Sequence, residues 1–168
     1  MKPAAGTTVK AALKKGTDLI FKGTINGIPI TVHCTSFTGS GKIPKTGLTI
    51  DIPPPAITGC TDTLGGKDTI KENSKNGSWK VTETIASGGD KVTLGIPKAG
   101  ATFSSSIVSG CTVTAAPSGA AGVTGSYNNV NTATISGAKI PVSGKGCTAT
   151  AATVTSTVIF TPDVEGAA

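Results

Sequence analysis

Hydrophobic and polar positions alternate along most of this chain with a period of two, the repeat of strands whose successive side chains point to opposite faces. The clearest case surrounds Asn26-Gly27. Asn-Gly readily adopts the positive φ angles of a type I′ turn, whose twist matches paired strands. A two-residue turn there sets Ile25 opposite Ile28, Phe21 opposite Val32 and Leu19 opposite Cys34. One face of this hairpin is then apolar and includes Cys34, while His33 points to the other face with Thr31 and Thr35. A second Asn-Gly, Asn76-Gly77, predicts another hairpin between 68–74 and 78–87, with Trp79, Val81 and Ile85 on one face and a polar first arm at a sheet edge.

Further strands are expected over 48–52, 91–96, 101–108, 111–115, 132–135 and 148–161; in the last, Val154, Val158 and Phe160 alternate with threonines. Pro53-Pro54-Pro55 lacks amide donors and marks an extended loop or strand end. Only 9–15 has a helical look, a turn or two after Thr8 closed by Gly16. Short strands separated by turn signals predict an all-β, single-domain antiparallel β-sandwich, with a β-barrel as the alternative. The division expected is a lysine-rich arm or short helix over 1–16, a β domain over 17–162 and a flexible tail over 163–168.

An internal echo suggests two related halves. Ile43-Pro44-Lys45-Thr46-Gly47-Leu48-Thr49-Ile50 recurs as Ile96-Pro97-Lys98-Ala99-Gly100-Ala101-Thr102-Phe103, and Ile57-Thr58-Gly59-Cys60-Thr61 recurs as Val108-Ser109-Gly110-Cys111-Thr112. The echoed units thus lie near 43–61 and 96–112. If Cys60 and Cys111 are counterparts, their partners should be too, which favours Cys34 with Cys60 and Cys111 with Cys147, one closure per half.

Four cysteines without CxxC or CxxH spacing, beside a single histidine, read as two disulfides rather than a zinc site. Disulfides point to an oxidising compartment. The Thr/Gly/Ala-rich strands, the Gly-Cys-Thr punctuation and a basic set made of lysine alone resemble small exported proteins of bacterial envelopes; no motif names a family. Secretion or a cell-envelope location is the expectation, with the signal peptide absent from this chain and no apolar run long enough for a membrane span.

Charge narrows the partners. The net charge of +6 comes from 15 lysines and no arginine, and aromatic residues make up only 4%. Nucleic-acid sites lean on arginine's planar fork and on stacked aromatics, so nucleic acid is not an expected partner. Between 99 and 162 the only charged residues are Lys139 and Lys145. Charge depletion of that kind suits a self-association or envelope-partner face.

Candidate chemistry is thin. His33 beside Cys34 invites a nucleophile–base reading, but strand alternation sends the two side chains to opposite faces. Asp62, Asp68 and Glu72 could offer oxygens to calcium, without the close spacing of a dedicated loop. Trp79 and Tyr127 are candidates for a binding surface, Tyr127 in a turn-like stretch over 125–129; the alternative is that both pack inside. The expected function is therefore a non-catalytic structural, self-associating or binding module without a cofactor. Alternatives are a carrier holding an apolar small molecule or lipid in a barrel cavity and, less favoured, a hydrolase.

Overall fold

The Asn-Gly hairpin forms in the register that the alternation dictates. In the computed structural model, which describes residues 3–165, Asn26 and Gly27 have φ of 52° and 78°. Ile25 faces Ile28, Phe21 faces Val32 and Leu19 faces Cys34. Leu19, Ile25, Val32 and Cys34 are buried, and Ile28 at the tip is exposed.

Fourteen strands form among the described residues: β1 Thr8–Leu13, β2 Leu19–Ile25, β3 Ile28–Lys42, β4 Thr49–Ile52, β5 Ala56–Asp62, β6 Lys67–Glu72, β7 Trp79–Thr84, β8 Lys91–Ile96, β9 Ala101–Ser105, β10 Thr112–Ala115, β11 Ala121–Tyr127, β12 Thr132–Ile140, β13 Val142–Lys145 and β14 Ala149–Thr161. They pair antiparallel in one sheet, in the order β13-β10-β9-β6-β5-β3-β1-β14-β12-β11-β8-β7-β4. Strand β2 shares the lane of β1, since both pair with β3 and with β14. The lane is one long strand interrupted at 14–18, where the Lys14 amide donates to the Thr157 carbonyl and the Thr17 amide to that of Lys14.

This lane is a seam between two halves that face each other. On one side run β3, β5, β6, β9, β10 and β13; on the other run β14, β12, β11, β8, β7 and β4. Cys34 and Cys60 from the first pack in one buried cluster with Trp79, Ile96, Val123, Ile135 and Val154 from the second. The strand β4 closes down on the end of β3 because Gly41 has no side chain: a Cβ there would collide with Ile50 and Ile52.

Both disulfides form with the expected partners, Cys34–Cys60 and Cys111–Cys147. Cys34 and Cys60 stand directly opposite on β3 and β5, with Cα atoms 4.0 Å apart. The second bridge ties the residue before β10 to the turn after β13, across a Cα separation of 5.3 Å. The glycine of each Gly-Cys-Thr is left-handed, with φ of 67°, 71° and 75° at Gly59, Gly110 and Gly146. That conformation favours glycine. There is one bridge in each echoed half of the sequence, and in the sheet both lie on the β3 side of the seam.

Three expectations are corrected. The segment 9–15 is not helical, since Thr8–Leu13 is a strand that buries Val9 and half-buries Ala11 and Leu13 on one face. Asn76-Gly77 does not turn a hairpin: β6 pairs with β5 and β9, β7 with β4 and β8, so the segment between them crosses from one half to the other. It is pinned under the turn after β8, where Asn73 Nδ2 donates to the Ala99 carbonyl (3.0 Å) and Asn76 Nδ2 to that of Lys98 (3.0 Å). Tyr127 ends strand β11 instead of lying in a turn; β11 is rich in glycine yet is held between β8 and β12. Of the expected tail, 166–168 lies outside the described residues, and the Val164 amide is tied to the Val130 carbonyl at 2.7 Å.

Candidate functional site

The two facing halves do not fill the space between them. Their inward rows are built mostly of Val, Ile, Ala and Gly; β2, for example, places Gly23 between Phe21 and Ile25. Few large side chains reach across, so two apolar chambers remain, each partly open to solvent. The larger has a volume of about 170 Å³ and the smaller about 110 Å³. Folded interiors ordinarily leave few voids larger than a water molecule. The larger chamber is walled by Ile57, Ile70 and Phe103 from one half and by Leu94, Ile96 and Val154 from the other. Phe37, Leu94, Val123, Ile135 and Val158 line both chambers and form the partition between them.

Trp79 and Tyr127 belong to these chambers and not to an outer binding surface. Trp79 is 2% exposed, lines the larger chamber and donates from Nε1 to the Asn73 carbonyl at 2.8 Å. Burial of its amphipathic ring is made tolerable by that hydrogen bond. Tyr127 lines the smaller chamber, stacks edge-on against Phe160 with ring centroids 5.8 Å apart, and donates its hydroxyl to the Val164 carbonyl. Burial pushes its phenol well above the usual range, helped by the negative charges of Glu83, Asp163, Glu165 and Asp90.

The candidate calcium residues divide. Asp62 and Asp68 come together at one end of β6, whereas Glu72 lies four residues along the strand and accepts from the Ile57 amide at 3.2 Å. Asp62 Oδ1 accepts from the amides of Leu64 and Gly66, and Oδ2 accepts from the Ser105 hydroxyl at 2.7 Å. Burial alone would raise Asp62, but bonds from Asp68, those amides and Ser105 hold it below the ordinary carboxylate range. Asp68 is pushed up to about 7 by burial and by its negative neighbour. Both Asp68 oxygens are cut off from water. The two carboxyls are thus pushed apart, Asp68 towards its neutral form and Asp62 towards its charged one. Glu72 is also raised, by burial first, with the Ile57 amide opposing. Among the described residues no three of His, Cys, Asp and Glu group as metal ligands.

His33 is on the outer face, its Nδ1 3.7 Å from Asp18 Oδ2 and both side chains more than two-fifths exposed. Cys34 lies on the inner face, wholly buried and bridged. Neither His33 nor the Asp62–Asp68 pair borders a chamber. One residue at the chambers went unremarked in the sequence: Ser156, which shares the inward row of Val154 and Val158 and was readable as the polar exception in it. Comparison with protein-family models, with curated proteins and with solved structures finds no match. Among the described residues no helix is long and apolar enough to cross a membrane.

Proposed function

We propose that this chain is a non-catalytic binding module of an oxidising compartment, a secreted or cell-envelope protein of a bacterium, whose interior holds a small apolar ligand. The observation that carries the reading is the larger chamber, about 170 Å³ of space lined almost wholly by apolar side chains. An apolar space of that order can take a ring the size of benzene, and this one is partly open to solvent, which leaves a ligand a way in. Two disulfides are compatible with an extracellular location. Support for a non-catalytic role comes from the dispersal of the candidate groups, with His33 outside, Cys34 bridged and the two aspartates away from both chambers.

Self-association has less to support it. The charge-poor segment 99–162 does not form one face, because β9, β10 and β13 belong to one half and β11, β12 and β14 to the other. The test of ligand binding uses Trp79, the sole tryptophan, as a built-in reporter. Toluene should shift its emission saturably and raise the melting temperature. No saturable change up to the solubility limit of toluene would sink the reading.

A further inference from the structure

The segment 162–165 leaves β14 and lies outside every strand, yet Val164 and Glu165 form part of the wall of the smaller chamber. Two hydrogen bonds tie Val164 to the end of β11 and the turn after it. The Val164 amide donates to the Val130 carbonyl at 2.7 Å, and the Val164 carbonyl accepts from the Tyr127 hydroxyl. That turn is fixed on its own side, because Asn128 Oδ1 accepts from the amides of Val130, Asn131 and Thr132, each at 2.9 Å. The strap 162–165 is therefore the part of this contact that can move.

The Tyr127 hydroxyl has a second acceptor within reach. It is 3.0 Å from the Val130 carbonyl, the same oxygen that accepts from the Val164 amide. A phenol has one proton to donate, so it serves one of the two carbonyls at a time. When 162–165 swings away, the Val130 carbonyl loses the Val164 amide and takes the Tyr127 hydroxyl in its place. Tyr127, only 7% exposed, thus keeps a partner in both arrangements, while the polar groups of Val164 pass to water. Stranding a buried hydroxyl is the large cost of breaking such a contact, and the spare acceptor removes it.

Resting on the reading that the interior takes apolar ligands, we infer that the smaller chamber is a second site, for a compact, neutral, apolar molecule, that 162–165 is the gate restricting entry to it, and that Tyr127 is the latch. The charged residues of its lining, Glu83 and Glu165, are both acidic, which disfavours an anionic ligand. Its volume of about 110 Å³ suits a probe as small as xenon.

Methyl NMR of the intact, oxidised protein under xenon separates the two sites, because Ile43, Ile50 and Ile52 line only the smaller chamber and Ile57, Ile70 and Ile96 only the larger. Both sets of signals should shift saturably with xenon pressure. Tyr127→Phe keeps the ring and deletes the latch; Val164→Pro deletes the amide that holds the strap to Val130. In Tyr127→Phe the Val164 amide should exchange with solvent about three- to tenfold faster, the span of one neutral hydrogen bond. Xenon exchange, read by relaxation dispersion, should quicken at Ile43, Ile50 and Ile52 in both variants and stay unchanged at the other three. If these rates and the Val164 amide match the wild type, or if both sets quicken equally, the gate is overturned while the two sites stand. If only the Ile57, Ile70 and Ile96 signals shift, the second site fails and the larger chamber remains. If no signal shifts, the reading of the interior as a ligand site fails, and the gate with it.

Discussion

The two halves of the sheet reach the same apolar interior by different chemistry. On the β3 side lie both disulfides and the Asp62–Asp68 pair, whose carboxyls are pushed apart in pKa. The β14 side has no bridge; it carries Trp79, Tyr127 and Phe160, and threonine pairs on its outer surface. One half is held by covalent closures that restrict the unfolded chain, the other by a few large side chains and a long pairing of β14 with β12 that a single bulge interrupts between Ile135 and Ala138. The chambers lie where these two regimes meet. A chain this poor in aromatic residues cannot fill the gap between two broad sheet halves by packing alone, and the bridges hold the wall that packing leaves thin.

Reduction should break the comparison most strongly. Bridges closing sequence separations of 26 and 36 residues are each worth about 3 to 4 kcal/mol in the chain-entropy account. Hydrogen exchange under a strong reductant should therefore accelerate in β3, β5, β10 and β13 before it does so in β8, β11 and β12. The bridge to half-exposed Cys147 should open before that to Cys34, which is 0% exposed. Uniform acceleration across both halves would show that the bridges stabilise the whole sheet and not one side of it.

Trp79→Ala attacks the other half. Truncating a buried tryptophan typically costs about 3 to 5 kcal/mol, and here it also leaves the Asn73 carbonyl without its donor. Urea denaturation should show that loss with both bridges intact. It should also leave the larger chamber larger, so that toluene binding survives in whatever fraction remains folded. A loss below about 1 kcal/mol would mean that the second half does not depend on its aromatic anchor.

How much of this contrast was legible in the sequence depended on range. The hairpin of β2 and β3 was readable because Asn26-Gly27 fixes both turn and register within a few residues. The cysteine pairing came from the echoed Gly-Cys-Thr units, each of which does place a left-handed glycine before its cysteine. What alternation cannot give is the partner of a strand. Val9, Ala11 and Leu13 fit a strand by a period of two, while Val9 and Leu13 also fit a helix by a spacing of four; the strand wins because β1 fills the lane beside β3 and β14 that β2 leaves empty. Asn76-Gly77 has the local chemistry of a hairpin and is overruled by the bonds of Asn73 and Asn76 to the turn after β8. The chambers themselves depend on how two distant rows of small residues face each other, which no local window contains.

The Asp62–Asp68 pair offers a smaller effect, confined to the bridged half. A carboxyl held up to about 7 in the folded protein has an ordinary value of about 4 when unfolded. Between those values the folded state keeps a proton that the unfolded state releases, so stability falls as pH rises from about 4 to 7 and levels off above. Asp62, held below its ordinary range, acts in the opposite sense: its contribution is present above about pH 4 and is lost as pH falls below it. The pair should thus contribute most near pH 4 to 5. With partial solvent screening, the decline towards neutrality is about 1 to 2 kcal/mol. Asp68→Asn, neutral at every pH and still able to donate to Asp62, should flatten the decline in a pH series of thermal melts. An unchanged slope in that variant would place the titrating group elsewhere.

The smallest effect belongs to the outer face of the unbridged half. Thr49, Thr82, Thr93 and Thr124 stand side by side on β4, β7, β8 and β11, with hydroxyl contacts of 3.0 Å between Thr49 and Thr82 and 2.8 Å between Thr93 and Thr124. Exposed hydroxyls that bond each other can bond water equally well, and removing both partners of such a pair is nearly neutral. Valine keeps the β-branched shape that suits a strand. Replacing Thr93 and Thr124 together by valine should therefore change stability by less than about 0.5 kcal/mol in urea, while lowering solubility by adding apolar surface. A loss above about 1 kcal/mol would instead make the hydroxyl row this half's substitute for the disulfides.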